Sequence, residues 1–457
     1  MGLRPRLLYT IQVLDTTERR RLAVRHQPSP QPGYPAGAPH YPSGEAPSLY
    51  TGLWGTLRSP GSAMAMALLG YYSLAGFSNV LAGDSNVGGI LIRLLSLVTV
   101  VAAFAGLSDN TRRLGGLIYL PAGLFFLAYF FRMVENIFFL GIRTPGSVEM
   151  MFAVFLLSSI FTSFILARVA HEIREYDFTL TVTILNFLFL VGMALNRELL
   201  LQSVNQRMML EKINPISMAH LAASFLIFHF LFFRKSKSLL VWAVVTTPLL
   251  LLVIVYARSR GPILAPIVSL ALYALLLKGT RRIWMGLGLT ALALGVLWLA
   301  DGGEYLNIVT RMFERTDIET DESTQVHYLG AIGAWNQFLD DIFFGRYIIE
   351  TVTGYYPHNL FLEALMSVGL IGSLPLAIHL GLATRATIGI IRSHRSVVST
   401  FIAVIFIRDS IAAFLAGAVW GSQEFWIGSF VVIALWYGRQ LPPIVANQGY
   451  GASQFRH

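Results

Sequence analysis

The sequence predicts an all-α, polytopic integral membrane protein, and three observations support this prediction. Of the 457 residues, 55% are hydrophobic and only 13% are charged, and the mean hydropathy is +0.61. A soluble domain carries about twice that charged fraction. The apolar residues fall in runs of about 20, the length at which an α-helix crosses a bilayer. Because these runs lack the polar–apolar alternation of membrane β-strands, a transmembrane β-barrel is excluded.

Twelve apolar runs predict about twelve transmembrane helices. Basic residues cluster in every second connection between them, and the positive-inside rule places those connections and both termini in the cytoplasm. The predicted spans are 63–82, 88–107, 114–132, 149–168, 178–196, 215–233, 238–256, 262–278, 283–300, 360–383, 397–417 and 423–439.

Composition divides the chain into two tails and a membrane domain. Residues 1–60 combine basic clusters with a Pro/Gly/Ser-rich run, which is typical of a disordered cytoplasmic tail. They hold no apolar stretch long enough for a cleaved signal peptide. Residues 61–440 form the predicted transmembrane catalytic domain, and 441–457 a second cytoplasmic tail. The connection 301–359 is predicted to be a long periplasmic loop containing short helices, one of them over Gln325–Phe338.

Charge and cysteine content limit the partners of the chain. The net charge of +9 follows from the basic cytoplasmic connections, so we expect membrane lipids and no nucleic acid as partners. The chain has no cysteine, which excludes disulfides and thiolate metal sites. No H-E-x-x-H motif or carboxylate pattern with metal-ligand spacing occurs, so the sequence predicts neither a metal nor another cofactor.

His358 is the candidate for catalysis, at the boundary between the long polar connection and an apolar helix. Pro357 favours a helix start here, and a histidine at a helix N-terminus is held neutral by the helix dipole. Neutral imidazole can accept a proton from a hydroxyl. Gly369 and Gly372 are predicted to share a helix face with His358 and to admit a neighbouring helix. The other explanation is structural: His358 and Asn359 cap the helix and the glycines pack it.

Two further polar groups are predicted on the same side of the membrane. Arg258 and Arg260 lie in a turn between two spans, where an arginine suits a phosphate through charge-assisted hydrogen bonds. For Arg258, snorkelling of the side chain to the lipid headgroups is the favoured explanation. Arg207 precedes Asn214, a candidate cap of the next span, and an interfacial helix anchored by Arg207 is the structural alternative.

Other polar residues within the spans have plain structural explanations. Intramembrane charges tend to mark function, but Arg93, Arg408 and Asp409 fit an ion pair or a polar cavity wall as well. Three histidines on apolar stretches are predicted to be buried core residues: His220, His229 and His379. The acidic run Asp317–Glu322 is predicted to be a solvated loop.

Three motifs taken in order resemble the superfamily of bacterial O-antigen ligases and O-antigen polymerases. They are Arg207 ahead of an N-P-x-S helix start at 214–217, an S-R-G turn at 259–261, and H-N-x9-G-x-x-G at 358–372. The resemblance covers roughly residues 180–385. The first 180 residues contribute only spans.

The resemblance implies a metal-independent, inverting glycosyltransferase of the bacterial inner membrane with its active site facing the periplasm. Its donor is a polysaccharide on undecaprenyl diphosphate, and its acceptor is the lipid A–core oligosaccharide or a growing glycan. Arg207 and Arg260 match the family's diphosphate-binding arginines, and His358 matches the residue proposed as general base. Neutralising a diphosphate leaving group with arginines would assist its departure without a metal.

The chain departs from the family pattern in the long connection. Many relatives carry an arginine where this chain has His327. Either His327 takes over that role, or the charge comes from one of three nearby arginines, Arg311, Arg315 or Arg346. Gly345–Arg346 also replaces a more usual glycine-rich turn.

Three functions remain open on sequence alone. The leading one is a ligase that transfers finished polysaccharide to the lipid A–core. The second is a polymerase for O-antigen or exopolysaccharide, which uses the same donor and leaving group. The third is a flippase or transporter of lipid-linked sugars, which the lack of an inverted repeat disfavours.

Overall fold

The computed structural model contains α-helices and no β-strands in the part of the chain that it describes. The described residues are 55–56, 58–77, 85–106, 116–142, 148–196, 215–257, 261–277, 279–280, 322–393 and 396–438. They all belong to one compact unit, Leu53–His457. Most of the predicted tails, the predicted span 283–300 and all of 301–321 lie outside the described residues.

Fourteen α-helices are described. In chain order, α1–α14 are Pro60–Ala65, Tyr71–Ala75, Ser85–Ala105, Leu120–Val134, Val148–Ala153, Thr162–Val169, Glu175–Leu195, Pro215–Phe232, Lys237–Tyr256, Gly261–Leu276, Glu322–Asp340, Leu360–Ser393, Val397–Ala416 and Gln423–Tyr437. Short π-helical segments join or extend several of them: Met66–Gly70, Glu135–Phe139 and Val154–Phe161. The 3₁₀ turns Gly116–Tyr119 and Ala170–Glu172 do the same.

The all-α membrane fold is confirmed at this level, since seven described helices are long and apolar enough to cross a bilayer. They are Gly116–Phe139, Met151–Glu172, Glu175–Leu195, Pro215–Phe232, Lys237–Val255, Leu360–Ser393 and Val397–Ala416. Leu91–Ala105 and Gly261–Leu276 are shorter apolar helices. The count of twelve spans and the placement of one connection in the periplasm stay predictions.

Two helices continue past the ends of the spans predicted for them. The third span was predicted to end at 132 and to be followed by an external connection, but the helix continues through Phe139. The span predicted at 360–383 continues to Ser393. In both cases a charged residue at the end of an apolar run, Arg132 or Arg385, predicted the end of the span. The helix continues past that residue, because a long basic side chain can extend along a helix towards water.

The centre of the bundle is α14, which is apolar around its whole circumference. Trp426 and Phe430 are fully buried, and the ring of Phe430 stacks on Tyr119 with ring centroids 5.0 Å apart. Helices α6, α12 and α13 pack around α14. A helix that is hydrophobic on all sides belongs in such an interior position.

Direct contacts show which helix ends lie together. Arg408, eight residues before the end of α13, bonds the carbonyl of His220, five residues after the start of α8. Just beyond α13, the Val419 N–H donates to Glu363 near the start of α12. Phe228 and Phe232, near the end of α8, lie 6.0 and 6.3 Å from Phe401, near the start of α13, so α8 and α13 are antiparallel. The starts of α8 and α12 therefore lie at one end of the bundle, which we call the His358 end.

The connections before and after α8 lie at opposite ends of the bundle. Lys235, in the turn after α8, forms an ion pair with Glu175 at the start of α7, with 2.8 Å between Nζ and Oε1. The end of α7 and the start of α8 therefore both lie at the His358 end. Because α9 runs back along α8, the end of α9 and the start of α10 lie there too.

Candidate functional site

His358 lies just before α12 in a strained backbone conformation. Its φ is +53°, and it is the only described non-glycine residue with a positive φ. Such a conformation is disfavoured for a residue with a side chain and persists only where the surroundings enforce it. Pro357 on one side is buried, and Asn359 on the other is hydrogen bonded into α12. The strain therefore sets the direction in which the imidazole leaves the chain.

Asn359, and not His358, caps α12. Its Oδ1 accepts hydrogen bonds from the N–H groups of Phe361 and Leu362, at 3.1 and 3.0 Å. The first residue of α12 is Leu360, so the prediction that the helix begins at Pro357 was wrong by three residues. The structural explanation thus accounts for Asn359, since an asparagine at this position satisfies two otherwise unpaired donors. It leaves the His358 side chain without a capping role.

Two aromatic rings enclose the His358 imidazole. The ring centroid of His327, on α11, lies 4.3 Å away, and that of Tyr356 lies 4.4 Å away. Among the described residues, neither ring nitrogen of His358 has a hydrogen-bond partner. Burial, reinforced by the charge of His327, lowers the pKa of His358 to about 4. The imidazole is therefore neutral at pH 7, for a different main reason than the helix dipole.

Tyr356 completes this group as a hydrogen-bond donor. Burial, together with the negative charges of Glu363 and Tyr355, raises the pKa of its phenol. The ring of Tyr356 also meets Trp420, edge to face, with centroids 6.2 Å apart. The phenol keeps its proton at neutral pH and can hold a hydroxyl or a phosphate oxygen beside His358.

Helix α11 brings His327 to His358 through a face of small residues. The observed Glu322–Asp340 agrees with the helix predicted over Gln325–Phe338. A methyl group added at Gly330 would lie 3.6 Å from Cα of Pro357, and one at Gly333 would overlap the carboxylate of Glu350. One further turn along, Gln337 bonds the backbone of the same loop, accepting from Thr351 N at 2.9 Å. The spacing of three to four residues puts His327 on this packed face.

The loop that receives α11 is itself fixed by a buried carboxylate. Glu350 accepts hydrogen bonds from the N–H of Val352 at 2.8 Å and of Thr353 at 2.5 Å, and from the Thr353 hydroxyl. Its own N–H donates to the carbonyl of Tyr355 at 2.9 Å. Glu350 thereby closes the turn that leads into Tyr356 and His358.

Of the two glycines of the H-N-x9-G-x-x-G motif, Gly369 breaks α12, and neither packs α12 against another helix. Gly369 has φ +63° and ψ −170°, which are not helical angles. A methyl group there would approach the Phe344 backbone nitrogen to 2.5 Å, so the loop after α11 passes directly against Gly369. A methyl group at Gly372 would strike the Val368 side chain of the same helix. The predicted common face from His358 to Gly372 was therefore wrong, because positive φ at Gly369 interrupts the helical repeat.

Gly345 and Arg346 belong to this break. Gly345 also has positive φ, +63°, and a methyl group on it would lie 2.6 Å from Gly369 N. The Arg346 N–H donates to the carbonyl of Met366 at 3.0 Å, while its guanidinium carbon lies 5.1 Å from the centre of the Tyr347 ring. The Arg346 side chain is exposed beside the break, which places it away from His358.

Sequence reasoning missed four residues that hold this end of the molecule together, namely Tyr129, Arg132, Asn136 and Glu363. Arg132 donates to the carbonyls of Phe344 and Gly345, both at 3.0 Å, and Asn136 bonds the backbone on either side of Tyr347. Glu363, fully buried, accepts from the Tyr129 hydroxyl and from Val419 N, the latter at 3.0 Å. The signal was present for Glu363 and Arg132, since charges within apolar spans are exceptional.

Five predicted site residues lie outside the described residues: Arg207, Asn214, Arg258, Arg260 and Arg315. The described helices next to most of them show where the chain resumes after these residues. α8 begins at Pro215, directly after Asn214, and α10 begins at Gly261, directly after Arg260. Both helix starts lie at the His358 end of the bundle.

Polar residues deeper in the bundle form contacts between side chains, as in the structural explanation given for them from the sequence. Arg408 and Asp409 form a buried ion pair, with 2.8 Å between Nε and Oδ1, and Arg408 also bonds Ser224. Arg93 lies over the Tyr71 ring, 4.2 Å from its centre. His229 and His379 are buried, as predicted. These groups tie helices to one another.

Comparisons with known proteins do not extend this picture. No family model matches the chain, and no curated relative matches it. Across the described residues, no cluster of three or more His, Cys, Asp or Glu side chains is arranged to hold a metal ion. The geometry at the His358 end is therefore the basis for any statement about function.

Proposed function

We propose that the protein is an inverting glycosyltransferase that uses a glycan linked to a lipid diphosphate. The observation that supports this most directly is His358: a neutral, half-buried imidazole at one end of a membrane bundle, held in a strained conformation. Strain and a perturbed pKa at one residue are typical of functional sites.

In this proposal His358 accepts the proton of an acceptor sugar hydroxyl. The hydroxyl oxygen forms a bond to the anomeric carbon on the face opposite the diphosphate. The bond from the anomeric carbon to the phosphate oxygen breaks, and the lipid diphosphate leaves with that electron pair. A base of pKa about 4 is weak. It takes the proton as the new carbon–oxygen bond forms, when the hydroxyl has become strongly acidic.

We assign to Arg207 and Arg260 the neutralisation of the negative charge on the leaving group. A diphosphate needs cations at the moment of departure, and arginine offers a planar fork that matches phosphate oxygens. The helices that follow these two residues begin at the His358 end, which is consistent with the assignment. The family resemblance of the three motifs points to the same pair.

His327 and Tyr356 are the remaining groups within reach of the reacting atoms. His327 stands where relatives carry an arginine, and its contact with His358 favours it over Arg346 as the residue that replaces that arginine. A histidine at this position lowers the pKa of the base, which an arginine would do more strongly.

Reconstitution of the full-length protein in liposomes tests the proposal and separates the three open functions. The donor is a synthetic undecaprenyl-diphosphate glycan, offered with lipid A–core or with a lipid-linked glycan repeat. Transfer to lipid A–core would establish an O-antigen ligase, and growth of the lipid-linked glycan would establish a polymerase. Movement of donor between leaflets without transfer would refute the glycosyltransferase and support a flippase.

Location is a separate part of the proposal. We place the chain in the bacterial inner membrane with the His358 end facing the periplasm, because a flipped lipid-linked donor is available there and the basic connections lie opposite. A periplasmic reporter enzyme fused into 351–355 should be active, whereas the same reporter fused after Lys235 should be inactive. The reverse pattern would invert the topology.

A further inference from the structure

The loop that follows α11 enters the break in α12 well beyond the start of that helix. Near its beginning α11 contacts His358, just before α12, through His327. After its end, the carbonyls of Ile342 and Phe343 accept hydrogen bonds from Leu370 and Ile371 at 2.8 and 3.1 Å. Leu370 and Ile371 directly follow the break at Gly369. The loop after α11 is therefore hydrogen bonded to the first residues of α12 beyond its break.

The carbonyls in the first part of this loop all have partners. From Ile342 to Arg346, five consecutive carbonyl groups accept hydrogen bonds, from Leu370 N, Ile371 N, the Arg132 guanidinium twice, and Asn136 Nδ2. A loop in water does not need such pairing, since water satisfies free carbonyls. A loop in hydrocarbon does need it, because an unpaired backbone group there costs several kcal/mol.

The side chains of the same loop are apolar and point outward. Phe343 and Phe344 are each 62% exposed, although their backbone is fixed against α12. The outward face of α11 continues this surface at helical spacing with Ile332, Trp335 and Leu339, and α12 continues it with Leu370, Ile371 and Leu374. The exposed apolar side chains of the loop thus lie next to those of a membrane-spanning helix, to which the loop is hydrogen bonded.

The positions of the charged residues indicate how deep in the membrane this apolar surface lies. No Asp, Glu, Lys or Arg occurs between Glu363 and Arg385 of α12, a stretch long enough to cross the hydrocarbon core. Leu370 lies inside that stretch, seven residues from Glu363. Asp340 and Asp341 end α11, and Arg132 pairs with Glu135 beside the loop. Charged groups therefore mark the boundary directly beside Phe343 and Phe344.

From this arrangement we propose that Ile342–Phe344 is a re-entrant segment that inserts into the lipid bilayer. The Phe343 and Phe344 rings insert among the acyl chains of the leaflet at the His358 end. Trp335 lies at the level of the headgroups, where amphipathic aromatic rings concentrate. The connection predicted to be a long periplasmic loop containing short helices thus returns to the membrane before it reaches His358. This proposal does not depend on the chemistry assigned to His358.

The absence of cysteine from the chain makes a direct test simple. Phe344→Cys carries a nitroxide spin label in the full-length protein reconstituted in liposomes, with Phe343→Cys as a second reporter of the loop. Gln325→Cys is the matched control, because Gln325 is an exposed residue of the same α11 at the opposite end of the helix. Relaxation of the label by dissolved oxygen and by a water-soluble nickel chelate measures its surroundings.

We expect both loop labels to be relaxed by oxygen and to lose accessibility to the nickel chelate, while the control label is accessible to the chelate. Nickel accessibility at 343 and 344 equal to that at 325 would place the loop in water and overturn the proposal. Protection from both probes would mean that protein covers the loop, which overturns it as well. Because the reporters replace exposed side chains, monodispersity and an unchanged circular dichroism spectrum should accompany either result.

Discussion

Two histidines of this protein, His358 and His229, occupy environments that differ in almost every respect. His229 lies within the bundle and uses both ring nitrogens: Nε2 is 2.9 Å from Asn186 Nδ2, and Nδ1 is 3.2 Å from the Thr247 hydroxyl. His358 lies at the end of the bundle, with ring contacts only among the described residues and with a strained backbone. A histidine with both nitrogens occupied serves structure, whereas one with free nitrogens in an enforced position is available for chemistry.

The largest effect is expected from His358→Ala. Loss of a general base lowers the transfer rate by about 10²–10⁴-fold, while the protein still inserts and still binds the lipid donor. Single-turnover transfer by purified protein, with donor binding measured in parallel, checks this expectation. Near-normal turnover would remove the distinction between the two histidines.

Gly369→Ala tests whether the break in α12 positions His358. A methyl group at positive φ and 2.5 Å from Phe344 N should destabilise the folded protein by about 3 kcal/mol or more and displace the loop that carries His358. The measurement is thermal unfolding in detergent together with transfer activity. Gly381→Ala is the matched control in the same helix, since nothing lies within 4 Å of its added methyl group. Equal melting temperatures for the two variants would contradict the expectation.

His229→Leu should affect stability without affecting chemistry. The substitution leaves Asn186 without its acceptor, and such interhelical hydrogen bonds in membranes contribute about 0.6–2 kcal/mol. Chemical unfolding should show that loss, and transfer per folded molecule should stay within about twofold of the parent, below the 10²-fold loss expected for a base. A large drop in transfer at unchanged stability would show that the buried site contributes to chemistry after all.

The smallest and most specific effect is expected from His327→Gln. In the proposed mechanism transfer requires neutral His358, so we expect activity to fall as the pH drops through the pKa of His358, which is about 4. Removing the charge of His327 raises that pKa towards the ordinary value of 6.5, although burial still keeps it lower. The acid limb of kcat/KM against pH should therefore move to higher pH, with little change at pH 8.

The control for this shift is His379→Gln, which removes a buried histidine remote from His358. Its Nε2 bonds the Ser429 hydroxyl at 3.0 Å, between α12 and α14. We expect this variant to keep the acid limb of the parent. Superimposable profiles for the parent and His327→Gln would mean that His327 does not act on the base.

The sequence by itself determined the class of fold and the start of the helix that follows His358. Runs of about 20 apolar residues can only be buried as helices in a bilayer, because lipid offers no partner to a free backbone group. The polar-to-apolar boundary at Pro357–Asn359 marked the start of a helix, and Asn359 caps it as its residue type predicts. These conclusions follow from local composition, so they needed no tertiary contacts.

Only the tertiary structure decided what the glycines and charges around that boundary do. Gly369 was consistent with a smooth helix until the backbone of Phe343–Gly345 was found lying against it, contributed by a segment more than 20 residues earlier. Arg132 and Glu363 find their partners more than 50 residues away. Local periodicity contains no information about such partners, because it records only neighbours within one helix. The strain at His358 likewise arises from packing on both sides, and so it appears only when the chain is folded.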